Sequence, residues 1–148
     1  MSLPDPPEEA TAPPPLAAVV DESLLFGSGL EGGLRRLGYT ARVFAGGGDV
    51  LPRIVESAPV LVLVSLASNR FNADALIRGI RSALPNTGII GYAGHLERQR
   101  LASGQAAGAH VVAPNSAMRG ALDRVLAKLA KRLSGESTDG WVEENELS

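Results

Sequence analysis

Adjacent carboxylates at Asp21 and Glu22 directly follow the apolar run LAAVV at 16–20 and are the clearest candidates for chemistry in this chain. Acidic oxygens at the end of a buried run can hold a hard divalent cation, although a full shell of about six oxygens needs more ligands than these two. Ser65 closes the run VLVLVS with a hydroxyl, but no base stands near it in the sequence to activate it. His95 and His110 are isolated from other ligand types and mark no metal site. The absence of cysteine excludes disulfides and thiolate metal centres. Gly27-Ser28-Gly29-Leu30-Glu31-Gly32 spells a literal G-x-G-x-x-G. A dinucleotide fingerprint must follow its strand at once, however, and Asp21 to Phe26 intervene here. These glycines are read as close-packing or weakening positions inside the first helix. With no nucleophile–base pair in view, an enzyme is the weakest reading.

Five short apolar runs alternate with helical spacing between residues 16 and 133, and these elements must position the candidates. LAAVV at 16–20 reads as a buried strand, and apolar residues at 26, 30, 34 and 37 predict a helix that Gly38 stops. Residues 40–44 alternate like a strand, and Asp49 can cap a helix running to Ser57. Residues 60–66 are apolar on both faces, as a central parallel strand covered by helices must be. A helix is predicted over 73–83, a strand over 89–92, a helix over 95–107 and a short strand at Val111-Val112. The stripe Met118, Leu122, Val125, Leu126, Leu129 and Leu133 predicts one last helix over 116–133. Five βα units of this kind form a parallel sheet with helices on both faces, a three-layer α/β/α doubly wound fold. Ligands in such folds sit at the carboxyl ends of the strands.

Charge is divided along the chain. All 14 Lys and Arg lie within 16–133 beside eight acids, which leaves that stretch formally +6 and the two ends together −8. The arginines at 70, 78, 81, 98, 100, 119 and 124 are spread over several predicted helices, which suits solvated faces better than a phosphate-tracking stripe, so direct nucleic-acid contact is not expected. Residues 1–15, rich in proline and acid, are expected to be disordered, as is the acidic stretch 134–148; Trp141-Val142 inside it could dock weakly on a surface, but an exposed Trp141 is the favoured reading. That leaves one domain at 16–133. No run approaches the ~20 apolar residues of a membrane span, and the amino terminus has no basic-then-apolar signal, so a cytoplasmic protein is expected.

VVDES (19–23), VLVLVSL (60–66), GIIGYAGH (88–95) and AAGAHVVAP (106–114), in that order and spacing, resemble the strand ends of the response-regulator receiver family. The resemblance covers nearly all of 16–133 and implies a flavodoxin-like, five-stranded parallel sheet in the order 2-1-3-4-5. It also implies a phosphorylation site whose parts fall on Asp21 and Glu22 (the acidic pair), Ser65 (the acceptor), Ala93 (the hydroxyl) and Ala113 (the lysine). A serine cannot take a phosphoryl group as a carboxylate does, and neither alanine can hydrogen-bond or neutralise one. Loss of the acceptor carboxylate leaves at most weak Mg²⁺ binding by Asp21 and Glu22. His110 falls where the family often places a switching aromatic, and Pro114 falls where it uses a cis bond.

The resemblance therefore implies a degenerate pseudo-receiver, with no enzymatic activity. It would act by phosphorylation-independent contact with protein partners, such as a sensor kinase or regulator, in a two-component or transcriptional system. A homodimer is compatible with the last helix but not required by it. The alternative is a small-ligand or nucleotide sensor using the pocket at the strand ends.

Overall fold

The computed structural model describes residues 13–46 and 48–143. Five strands, β1 (Leu16–Val20), β2 (Thr40–Phe44), β3 (Leu61–Ser65), β4 (Gly88–Ala93) and β5 (Val111–Pro114), form one sheet in the order β2-β1-β3-β4-β5. Every neighbouring pair is parallel. Parallel neighbours cannot be joined by a tight turn, so each connection crosses the sheet and carries a helix. These are α1 (Leu24–Arg36), α2 (Val50–Ser57), α3 (Ala73–Ala83) and α4 (Arg98–Ala107), with α5 (Asn115–Gly120) and α6 (Leu122–Leu133) following β5.

The alternation of side chains along each strand divides the core in two. Ala18, Val20, Val62, Val64, Ile89 and Val112 face α2, α3 and α4. Ala17, Val19, Leu63, Ile90, Val111 and Ala113 face α1, α5 and α6. β3 is buried along its whole length, as its unbroken apolar run requires. Two helix starts near the strand ends are fixed by capping: Ser23 Oγ accepts from the Phe26 N–H (3.2 Å) and Asn72 Oδ1 from the Ala75 N–H (3.0 Å). Asp49 stands at the N-cap of α2 without a side-chain cap bond. Among the described residues, no helix is long and apolar enough to cross a membrane.

Three expectations are corrected. The stripe predicted as one helix over 116–133 is two helices, because Ala121 (φ −147°, ψ 40°) breaks the run after Gly120, the weakest helix former in the stretch. Met118 and Leu122 still reach the same core from either side of the break. The Ala113–Pro114 bond is trans, since no cis peptide occurs among the described residues. Trans is the lower-energy form before proline, and in it Pro114 pairs with Ala93 and leads directly into α5.

The third correction concerns the carboxyl-terminal stretch from Ser134. Residues 140–142 run beside β5 as a parallel edge: the Val112 N–H donates to Gly140 O (2.7 Å) and the Val142 N–H to Val112 O (2.9 Å). Trp141 packs against the α2–α3–α4 side of the core and Val142 is buried in the other. Burying one apolar side chain on each face of the sheet outweighs the acidic composition on which the expectation rested. The expectations for residues 1–12 and 144–148 lie outside the described residues.

Candidate functional site

The register of the sheet determines which strand-end side chains can act together. Ser65 pairs with Tyr92, and Tyr92 with Ala113, so these three form one row across β3, β4 and β5. Tyr92 and Ala113 belong to the core beneath α1, α5 and α6, whereas Ala93 belongs to the opposite one. The residue that the register places beside Ser65 is therefore Tyr92, one residue before Ala93. Period-two alternation puts Ala93 on the wrong face to meet Ser65.

Tyr92 is 1% exposed, and its hydroxyl donates to Asp21 Oδ2 at 2.7 Å. The other Asp21 oxygen, Oδ1, accepts from the Ser23 N–H at 2.8 Å. Asp21 is itself buried. Burial first, then the charge and hydrogen bond of Asp21, push the Tyr92 phenol far above its ordinary 10.0, so the ring stays protonated and donates. Phe26 stacks on Tyr92 with ring centroids 5.4 Å apart, and the Arg119 guanidinium lies 5.3 Å from the Phe26 ring centroid. Arg119, Phe26, Tyr92 and Asp21 thus form a column that joins α5, α1, β4 and the end of β1. In sequence Tyr92 reads as one more core aromatic, and only the register places it in this row.

Glu22 parts from its neighbour. Its Oε1 accepts from the Asn69 N–H (3.1 Å) and its Oε2 lies 3.6 Å from Arg70 Nε, so it pins the β3–α3 loop. The donor set is sparse for Mg²⁺, with two carboxylates where a full shell needs about six oxygens. Both Asp21 oxygens and both Glu22 oxygens already have partners, and the third position offers the hydroxyl of Ser65 instead of a carboxylate. Among the described residues, no three His, Asp or Glu side chains cluster as metal ligands. The space left at the strand ends is a cavity of about 240 Å³ lined by Asp21, Glu22, Phe26, Ser65, Tyr92 and Asn115 among others.

His110 and Pro114 lie elsewhere. Pro114 ends β5 at the site's edge, while His110 precedes β5 at the sheet's opposite end. There His110 Nδ1 accepts from the Ile89 N–H (3.1 Å), which requires the neutral ring. Burial, with Arg81 and Arg132 nearby, lowers its pKa from 6.5 to about 4. His95 sits in the turn before α4. The G-x-G-x-x-G lies inside α1, where a Cβ at Gly27 would come 3.0 Å from Val43, so at that position the glycine serves close packing.

No protein-family model matches the chain, and no curated protein does. Solved structures do. The receiver domain of NtrX from Brucella abortus is 22% identical, with a TM-score of 0.66 over 80% of this chain and 98% of that one. A response regulator from Burkholderia pseudomallei, solved with a phosphorylated aspartic acid, a calcium ion and citrate, is 20% identical (TM-score 0.70; 82% of this chain, 70% of that one). The chemotaxis response regulator CheY4 of Vibrio cholerae is 16% identical (TM-score 0.62; 74% and 97%).

The fold is that of a response-regulator receiver domain. Within the receiver fold, the row Ser65–Tyr92–Ala113 and the acid Asp21 occupy the carboxyl ends of the strands, where doubly wound folds place their ligands.

Proposed function

We propose that this chain is a receiver-fold signalling module that works without phosphorylation, by contact with protein partners in a two-component or transcriptional regulatory system. The hydrogen bond from the Tyr92 hydroxyl to Asp21 carries this reading. In a phosphorylated receiver a phosphoryl group on the β3 residue would bridge strand ends; here a phenol rooted in β4 reaches the β1 acid from within the fold. The bridge needs no phosphoryl group, so it biases the domain toward one state and one surface without a covalent trigger. Ser65 and Ala113 on either side of Tyr92 add neither an acceptor carboxylate nor a compensating charge. The remaining cavity, about 240 Å³, is smaller than the roughly 300–1,000 Å³ of small-molecule sites, which weighs against the ligand-sensor reading. Enzymatic activity and a resident metal form no part of the proposal.

The test is a backbone amide NMR titration with Mg²⁺ and then beryllium fluoride. An unmoved spectrum supports the proposal. Saturable shifts gathered at residues 21–22, 65 and 92–95 would overturn it.

A further inference from the structure

The stretch from Ser137 to Glu143 lies along β5 as a peptide would lie in a groove. Its backbone adds to the free edge of β5 through the two hydrogen bonds at Val112. Such an edge, with its row of unpaired N–H and C=O groups, is what extended ligands use when they add a strand to a sheet. Side-chain contacts on both sides set a specific pattern. The Arg98 guanidinium of α4 lies 5.0 Å from the Trp141 ring centroid and 3.4 Å from Glu143. From α6, Lys128 Nζ donates to Trp141 O (2.5 Å) and pairs with Asp139 (3.3 Å). Val142 is buried beneath α6, beside a cavity of about 430 Å³ whose lining includes Arg124, Lys128 and Lys131. At Gly140 there is no room for a side chain, because a Cβ would come 2.2 Å from His110 O, a backbone atom that cannot move aside.

We propose that β5, α4 and α6 form a peptide-docking groove and that residues 137–143 are its built-in ligand. The external partner is an extended segment of another protein with the same chemistry: a glycine, then an aromatic–aliphatic pair, with carboxylates on both sides. Acids at Asp139 and Glu143 meet bases at Lys128 and Arg98, so the groove selects acidic segments. The chain's own segment must leave before such a partner binds, which makes it autoinhibitory. This inference uses no contact of Tyr92 and stands independently of the function proposed above.

The experiment uses the full chain and a fluorescent peptide of residues 137–148. Trp141 is the only tryptophan, so its emission reports the segment directly. Gly140→Ala in the protein must lift the segment, shifting Trp141 emission to that of a solvated indole and opening the groove. The opened protein is expected to bind the peptide, by fluorescence anisotropy, at least tenfold more tightly than the unmodified chain. A peptide carrying the same Gly140→Ala change is expected to lose at least tenfold of that affinity. Should Gly140→Ala fail to fold, Trp141→Ala opens the groove by removing the indole, and the peptide comparison is repeated on it. Equal peptide affinity for opened and unmodified chains, an unshifted Trp141 emission in Gly140→Ala, or equal binding of the glycine and alanine peptides would each overturn the proposal.

Discussion

Tyr92→Phe removes one hydroxyl and leaves the ring in its stack on Phe26. The lost interaction is a buried hydrogen bond to a carboxylate, and such bonds contribute roughly 1.5–3 kcal/mol. The cavity beside Asp21 admits water, which can replace part of the donor, so the lower half of that range applies, about 1.5–2 kcal/mol. For a domain of this size each kcal/mol shifts Tm by about 3–5 °C, giving a fall of about 5–10 °C. The assay is denaturant unfolding of the wild type, Tyr92→Phe, Asp21→Ala and the double variant as a cycle. The bridge requires a coupling energy of at least about 1 kcal/mol between the two sites. The same bond gives a pH signature. The folded phenol titrates above its unfolded value of 10.0, so the folded state keeps a proton that the unfolded state releases, and stability falls as pH rises beyond 10.0. In Tyr92→Phe that alkaline loss is reduced. Singles that add to the double within about 0.5 kcal/mol, or an alkaline profile unchanged by the substitution, would refute the reasoning.

The remaining predictions concern the row, the far end of the sheet and one buried hydroxyl. Ser65→Asp alone should still give no beryllium fluoride response, because Tyr92 fills the space, whereas Ser65→Asp with Tyr92→Thr should show Mg²⁺-dependent shifts by NMR; a response in the single variant would contradict the plugging role. His110 has a folded pKa of about 4 against 6.5, so its stability contribution is complete above pH 6.5 and is lost as pH falls toward 4. With the ring half-buried and solvent screening the charges, the loss is about 1–2 kcal/mol. Denaturant unfolding at neutral and mildly acidic pH should show it for the wild type and not for His110→Gln; parallel declines would rule it out. The Thr87 hydroxyl donates to the buried carbonyl of Pro59 at 2.7 Å, so Thr87→Val should cost about 1–3 kcal/mol in the same assay.

Hydrophobic period and punctuation, both local properties, made the fold legible. The run at 60–66 is the central strand its two apolar faces require, and the parallel sheet follows from alternating elements, whereas the caps were not legible: Ser23 and Asn72 cap their helices while Asp49, the expected cap, makes no cap bond. The strand-end motifs likewise brought Asp21, Ser65 and Ala113 to one end of the sheet. Which neighbours share a face is a different kind of information, because it depends on register, and a one-residue difference turns a side chain to the other side. That is why Ala93 stood in the expected site and Tyr92 did not, and why the acidic pair reads as a unit although Asp21 is buried under Tyr92 while Glu22 ties down the β3–α3 loop. The carboxyl-terminal stretch shows the same limit: its acids announce solvent, but two apolar residues and a glycine that fits against His110 O find an open sheet edge that only the assembled fold creates. Composition and spacing determined what this chain builds. Tertiary packing decided that Tyr92 meets Asp21 at the strand ends and that the last edge is covered by the chain's own segment, since both depend on contacts between residues far apart in sequence.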